Sequence, residues 1–141
     1  MSDATARFTG RADHYARHRP LYPAALLETL IAEARLQPQD VVADVGAGTG
    51  ILSEILLRHG NTVIAVEPNA SMRAGLAPLQ QAWPSLRVTG GAAEATQLPD
   101  ASVDVVVAGQ AFHWFDPVRT RHEFERILRP GGRIALVWNA R

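Results

Sequence analysis

Cysteine and lysine are both missing from the 141-residue sequence. Without cysteine there can be no disulfide, thiolate nucleophile, iron–sulfur cluster or cysteine-based zinc site. Without lysine there is no Schiff-base lysine and no phosphate-binding lysine of the P-loop kind. Neither sign of charge is in excess. The 14 basic residues, all arginine, match 14 Asp plus Glu for a formal net charge of zero. No basic surplus therefore points to nucleic acid or to an anionic membrane surface. No apolar run approaches the roughly 20 residues of a membrane span. The amino-terminal stretch MSDATARFTGRADHYARHRP has no apolar signal-peptide core, so a cytoplasmic location is expected.

What is present suits one globular domain. Hydrophobic residues make up 47% and charged residues 20%, and a chain of this length can bury roughly 70% of its unfolded surface. The Arg19-Pro20-Leu21-Tyr22-Pro23 run makes an extended entry to a helix whose apolar face is Leu26, Leu27, Leu30, Ile31 and Ala34, ending at Gln37-Pro38. Val41 to Val45 reads as a strand, and Gly46-Ala47-Gly48-Thr49-Gly50 stops it abruptly. A second helical face follows (Ile51, Leu52, Ile55, Leu56), with Gly60 as its stop signal. Thr62 to Val66 is a second strand, leading into Glu67-Pro68-Asn69. A short helix is expected over 70–77, with Pro78 ending or kinking it.

Leu86 to Thr89 and Val103 to Val107 read as the third and fourth strands. Asp116-Pro117 opens a last helix, with Phe124, Ile127 and Leu128 on its apolar face. Pro130-Gly131-Gly132 is expected to break it before a fifth strand, Ile134 to Trp138. The strands are continuously apolar rather than alternating, which marks a parallel sheet covered on both faces. Right-handed crossovers with one reversal give the order 3-2-1-4-5 in an α/β, doubly wound sheet. Residues 1–36 form an N-terminal helical segment and residues 37–141 the sheet domain, together one structural domain. Ligands in such sheets bind outside the carboxyl ends of the strands at the switch point.

Two features meet at that edge. Glycines directly after a strand permit a tight reversal and close backbone approach to a ligand. Glu67, about twenty residues further on, can accept two hydrogen bonds from a ribose diol. Together they imply an adenosine-type ligand. The dinucleotide fingerprint would place its third glycine at position 51, which is Ile, whereas here it sits at Gly50.

The run Val42-Ala43-Asp44-Val45-Gly46-Ala47-Gly48-Thr49-Gly50 resembles motif I of the class I S-adenosylmethionine-dependent methyltransferases. Val66-Glu67-Pro68-Asn69-Ala70-Ser71-Met72 resembles their acidic second motif. Gly91-Ala92-Ala93-Glu94 with Leu98-Pro99-Asp100-Ala101-Ser102-Val103-Asp104 resembles their third-loop region, and Leu128-Arg129-Pro130-Gly131-Gly132-Arg133 their turn before strand five. Tyr15 with Arg19 to Pro23, and Gln110-Ala111-Phe112-His113-Trp114, resemble the small-molecule branch, the trans-aconitate-type and type 11-like enzymes.

The resemblance implies a Rossmann-like fold, S-adenosyl-L-methionine as cofactor, and methyl transfer by in-line displacement to a small-molecule acceptor such as a carboxylate. It implies that Gly46, Ala47 and Gly48 approach the methionine part of the cofactor. Asp44 receives the cofactor's amino group, directly or through water. Glu67 holds the ribose hydroxyls, while Pro68 and Met72 pack on the adenine. Ala93 offers a backbone N–H to the base with Ala92 and Glu94 beside it, and Gln110 and Tyr15 complete the cofactor set. Many relatives carry an acid where this chain has Ala92, so the contact to the adenine amino group falls to Glu94 or to a backbone carbonyl.

His113 and Trp114 stand after strand four, where methyl group and acceptor should meet. His113 is read equally as a base or acceptor-orienting group and as a bystander, and Trp114 as pocket lining. Arg19 could reach an anionic acceptor. His14 and His18 have i, i+4 spacing but no third ligand, so no metal is expected. The alternatives are a non-catalytic S-adenosylmethionine-binding module and a nicotinamide-type oxidoreductase. Family members continue past strand five with a helix and two more strands. The chain is therefore expected to be a fragment whose strand 134–138 is left as an edge open to self-association.

Overall fold

The computed structural model describes residues 22–108 and 116–137. Five helices and five strands lie along them. Helix α1 spans Tyr22–Ala34, β1 Val41–Val45, α2 Ile51–His59 and β2 Thr62–Val66. Two short helices follow, α3 (Ala70–Ala74) and α4 (Ala77–Ala82), then β3 (Leu86–Thr89), β4 (Val103–Ala108), α5 (Pro117–Ile127) and β5 (Leu128–Leu136). The strands form one parallel sheet in the order β3-β2-β1-β4-β5.

Each strand of the sheet's centre supplies both faces. Val42 of β1, Val63 and Ala65 of β2 and Val105 and Val107 of β4 pack with Leu26 and Leu30 of α1 and Ile55, Leu56 and Leu57 of α2. Ala43 and Val45, Ile64 and Val66, and Val106 and Ala108 face the other way, onto Phe124 and Ile127 of α5. A continuously apolar strand is thus divided residue by residue between two layers, because successive side chains point to opposite faces. Helix α1 shares the core of the sheet rather than forming a core of its own.

Two expectations are corrected. The helix expected over 70–77 is two helices, and Pro78 lies in the first turn of α4 instead of ending α3. Proline fits there because first-turn N–H groups have no intrahelical partner. The fifth strand begins at Leu128, not Ile134, and Pro130-Gly131-Gly132 lies within it. Val103 pairs with Leu128 but Val105 with Arg133, so the extra residues form an irregularity opposite β4. A proline without an N–H is tolerated there because β5 is the edge strand of the described sheet. Trp138 lies outside the described residues.

Long-range polar contacts fasten the sheet's amino edge. Asp104 accepts from the Val41 N–H at 2.8 Å and pairs with Arg129 at 3.0 Å. Arg133 reaches the Ala34 carbonyl at 2.9 Å and Asp40 at 2.7 Å. These ties lie at the end opposite the glycine loop.

Candidate cofactor site

The turn after β1 is built by its glycines. Gly46, Gly48 and Gly50 have φ of 75°, 60° and 93°, the left-handed region that side chains disfavour. Gly48 and Gly50 differ in what surrounds them. A Cβ on Gly50 would lie 2.7 Å from Leu76 Cδ2 and 2.8 Å from Leu79 Cδ2, so Gly50 admits close packing of α2 on the following segment. Among the described residues, a Cβ on Gly48 would meet nothing within 4 Å. Gly48 therefore faces open space, room that a ligand can use.

The loop's amides are already engaged. Gly46 and Ala47 both donate to the Val66 carbonyl, at 2.8 and 3.2 Å. Gly48 donates to Glu67 Oε1 at 2.7 Å. These bonds tie the turn to the end of the neighbouring strand.

Glu67 follows β2 and is only 7% exposed. Its Oε2 accepts from the Asn69 N–H at 3.0 Å. Each oxygen has one backbone donor, and a carboxylate has about four lone-pair sites, so capacity for two hydroxyl donors remains. Asn69 caps α3, its side chain accepting from the Met72 N–H at 3.0 Å. Arg73 donates to the carbonyls of Glu67 and Pro68, both at 2.9 Å, and fixes the loop beyond the acid. Pro68 and Met72 are exposed, Met72 at 44%.

Asp44 lies behind the glycine turn, 1% exposed in β1. Ser53 on α2 donates to its Oδ2 at 2.7 Å, while Oδ1 is buried without a partner among the described residues. Burial raises its pKa to about 6, with Glu67 adding to the rise and the Ser53 hydrogen bond opposing it. A buried carboxylate oxygen without a donor is costly, and a cationic amino group is the kind of partner that would relieve it. The open face of Gly48 and the orphan oxygen of Asp44 both fit a polar nucleoside–amino acid ligand.

On the far side of Glu67, Gly91 donates to Thr89 Oγ1 at 3.2 Å, and Ala92 and Ala95 exchange hydrogen bonds at 3.1 and 3.0 Å. Ala93 is buried and Ala92 partly buried. Glu94 Oε2 accepts from the Asp116 N–H at 3.0 Å. The acid suggested as a substitute for the adenine contact thus has one oxygen engaged at the start of α5. The structure brings Asp44, Gly46, Ala47, Gly48 and Glu67 together directly. Tyr15, Arg19, Gln110, His113 and Trp114 lie outside the described residues. Sequence reasoning missed Ser53, Asn69, Arg73, Thr96 and Glu123. Asn69 ahead of Ala-Ser-Met carried an N-cap signal. Glu123 carried another, an acid four residues before Ile127 on the apolar face of α5.

Comparison with known proteins gives the family of the chain. Residues 43–136 match the family described as a methyltransferase domain. The chain belongs to the class I methyltransferase family. An uncharacterized methyltransferase of Mycobacterium tuberculosis is 42% identical over 139 residues, covering 99% of this chain and 54% of the relative. An uncharacterized methyltransferase of Schizosaccharomyces pombe is 36% identical over 128 residues, 90% of this chain and 50% of the relative. Among solved structures, a candidate methyltransferase from an antibiotic biosynthesis pathway of Anabaena variabilis is similar. It has TM-score 0.71 and 36% identity over 80% of this chain and 44% of that one. The YcgJ protein of Bacillus subtilis also has TM-score 0.71, with 27% identity over 78% of this chain and 48% of that one. This methyltransferase chain spans about half the length of the curated relatives it matches. S-adenosyl-L-methionine is the family's cofactor. The family assignment decides against the nicotinamide alternative. Among the described residues there is no cluster of three metal-ligating side chains, and no helix is long and apolar enough to cross a membrane.

Proposed function

We propose that this chain binds S-adenosyl-L-methionine at the carboxyl edge of β1 and β2, and that the protein transfers the cofactor's methyl group to a small-molecule acceptor. The observation that carries the reading is the juxtaposition of the open Gly48, the braced Glu67 and the partnerless Asp44 Oδ1. When bound, the cofactor supplies an electrophilic methyl group and a neutral thioether leaving group. The chain's residues hold and align. Glu67 accepts from the ribose hydroxyls with the lone pairs its two amide bonds leave free. Asp44 Oδ1 accepts from the ammonium group. Exposed Met72, beside Pro68, gives a base a polarizable cover.

Arg19, His113 and Trp114 belong to the acceptor side of the proposal, and Tyr15 and Gln110 to the cofactor side, by their places in the sequence. A carboxylate acceptor is already nucleophilic and needs no base, so Arg19 pairs with it and His113 orients it. A cytoplasmic location, with neither nucleic acid nor a membrane surface as partner, belongs to the same proposal and rests on the balanced charge.

The test is consumption of methyl-labelled S-adenosyl-L-methionine over a panel of small acids, phenols and amines. Turnover with a carboxylic acid is expected. Tight cofactor binding with no turnover across the panel would replace the enzyme by a binding module. His113→Ala should lower turnover more than cofactor affinity, and equal loss in both, or in neither, removes His113 from the acceptor side.

A further inference from the structure

The geometry points to Glu123, on α5, as a positioning residue that sets the adenine-side loop through Thr96. The inference rests on the cofactor reading above. Between β3 and β4 the segment 90–102 holds no helix and no strand, only the isolated pairing of Ala92 with Ala95. Such a segment needs its shape imposed from outside.

The imposing group is buried. Glu123 is 9% exposed, and its Oε2 accepts from both the Thr96 N–H at 2.8 Å and the Thr96 hydroxyl at 2.7 Å. Thr96 is fully buried. Its carbonyl accepts from Thr89 Oγ1 at 3.1 Å, and that same hydroxyl oxygen accepts from the Gly91 N–H. Its own hydroxyl accepts from the Leu98 N–H at 3.2 Å. Gly91 lies so close that a Cβ there would meet the Thr96 carbonyl oxygen at 2.4 Å. Thr96 is therefore the point through which α5 holds Gly91 and, next to it, Ala92 and Ala93.

Arg126, one helical turn on, orients the carboxylate. It donates to Glu123 Oε1 at 2.9 Å and Oε2 at 2.7 Å, to the Leu98 carbonyl at 2.7 Å and to Asp100 at 2.6 Å. Glu94 adds a second tie from the same loop to the start of α5. A helix packed under the sheet thereby fixes a backbone that the cofactor reading places against the base. The Ala93 N–H contact to adenine in that reading is made by backbone, so it depends on where the loop stands.

The test compares binding of S-adenosylhomocysteine with that of S-inosylhomocysteine, which differs only in the base, by titration calorimetry. The variants are Glu123→Gln, Thr96→Val and, as a control, Arg121→Ala, whose side chain is exposed and pairs with Glu125. The parent should prefer the adenine compound. Glu123→Gln and Thr96→Val should shrink that preference by about tenfold, the loss expected of one or two hydrogen bonds' worth of alignment, with Arg121→Ala unchanged. A general structural role would weaken both ligands equally and leave the ratio intact, which would overturn the inference. An unchanged ratio and unchanged affinities would overturn it too. If Glu123→Gln fails to fold, Thr96→Val carries the same comparison. If the parent binds neither compound, the cofactor reading itself falls, a result distinct from failure of the Glu123 role.

Discussion

The Glu67 carboxylate and the Gly48 amide are joined across 2.7 Å, between the end of one strand and the turn after its neighbour. The acid that the cofactor reading assigns to the ribose therefore also braces the turn assigned to the methionine end. Binding and local structure share one side chain.

Glu67→Ala consequently loses two things. The ligand loses a charge-assisted acceptor, worth about 1.5–3 kcal/mol, and the Gly48 N–H loses its partner. Calorimetry with S-adenosylhomocysteine should show that drop in affinity, with a lowered melting temperature for the ligand-free variant. Parent-like affinity would remove Glu67 from the site.

Asp44 makes the ligand-free protein sensitive to pH in a defined direction. Its folded pKa of about 6 lies above its ordinary value of 3.8, so the folded state holds the proton more tightly. The stabilisation is complete below about 3.8 and is lost as pH rises through 6. Within that window the ligand-free melting temperature should fall, against a free-energy change of up to about 3 kcal/mol. Asp44→Asn should flatten this dependence and raise stability at neutral pH, while weakening S-adenosyl-L-methionine binding. Melting curves across pH for both proteins check it; parallel profiles would contradict it.

Glu123 works in the opposite sense. The Arg126 guanidinium holds its pKa down to about 2, against an ordinary 4.5. Its contribution is present above 4.5 and disappears as pH falls towards 2. Arg126 is partly open to solvent, so the contribution is about 1–2 kcal/mol rather than the full value of the shift. Glu123→Gln should be less stable than the parent at neutral pH, with the gap closing under acid. Chemical denaturation at several pH values measures that gap.

β5 is the edge of the described sheet, and Ile134, Ala135 and Leu136 along it are only partly buried. An edge strand with half-covered apolar side chains is a template for pairing. The 141 residues should self-associate through β5, seen as a sedimentation coefficient that rises with concentration. A stable monomer at micromolar concentration would refute this.

The order of elements, the parallel sheet and the places of the glycine turn, Asp44 and Glu67 were legible in the sequence alone. Their signals are local: apolar runs that begin and stop at particular residues, glycines where a strand must reverse, an acid at a set distance. Even the burial of both sheet faces was readable from strands without polar alternation. The division of 70–82 into two helices was not, because Pro78 can close one helix or open another and only the packing of Leu76 and Leu79 over Gly50 selects the second. Nor was the full length of β5, since a proline and two glycines read as a break until β4 supplies a partner for the strand around them. The Glu123–Thr96 bond spans 27 positions and Arg133–Asp40 spans 93. Contacts at such separations leave no periodicity in the sequence. They form only because the sheet's crossovers return distant segments to one place, and there a buried carboxylate must find the donors that burial has taken from water.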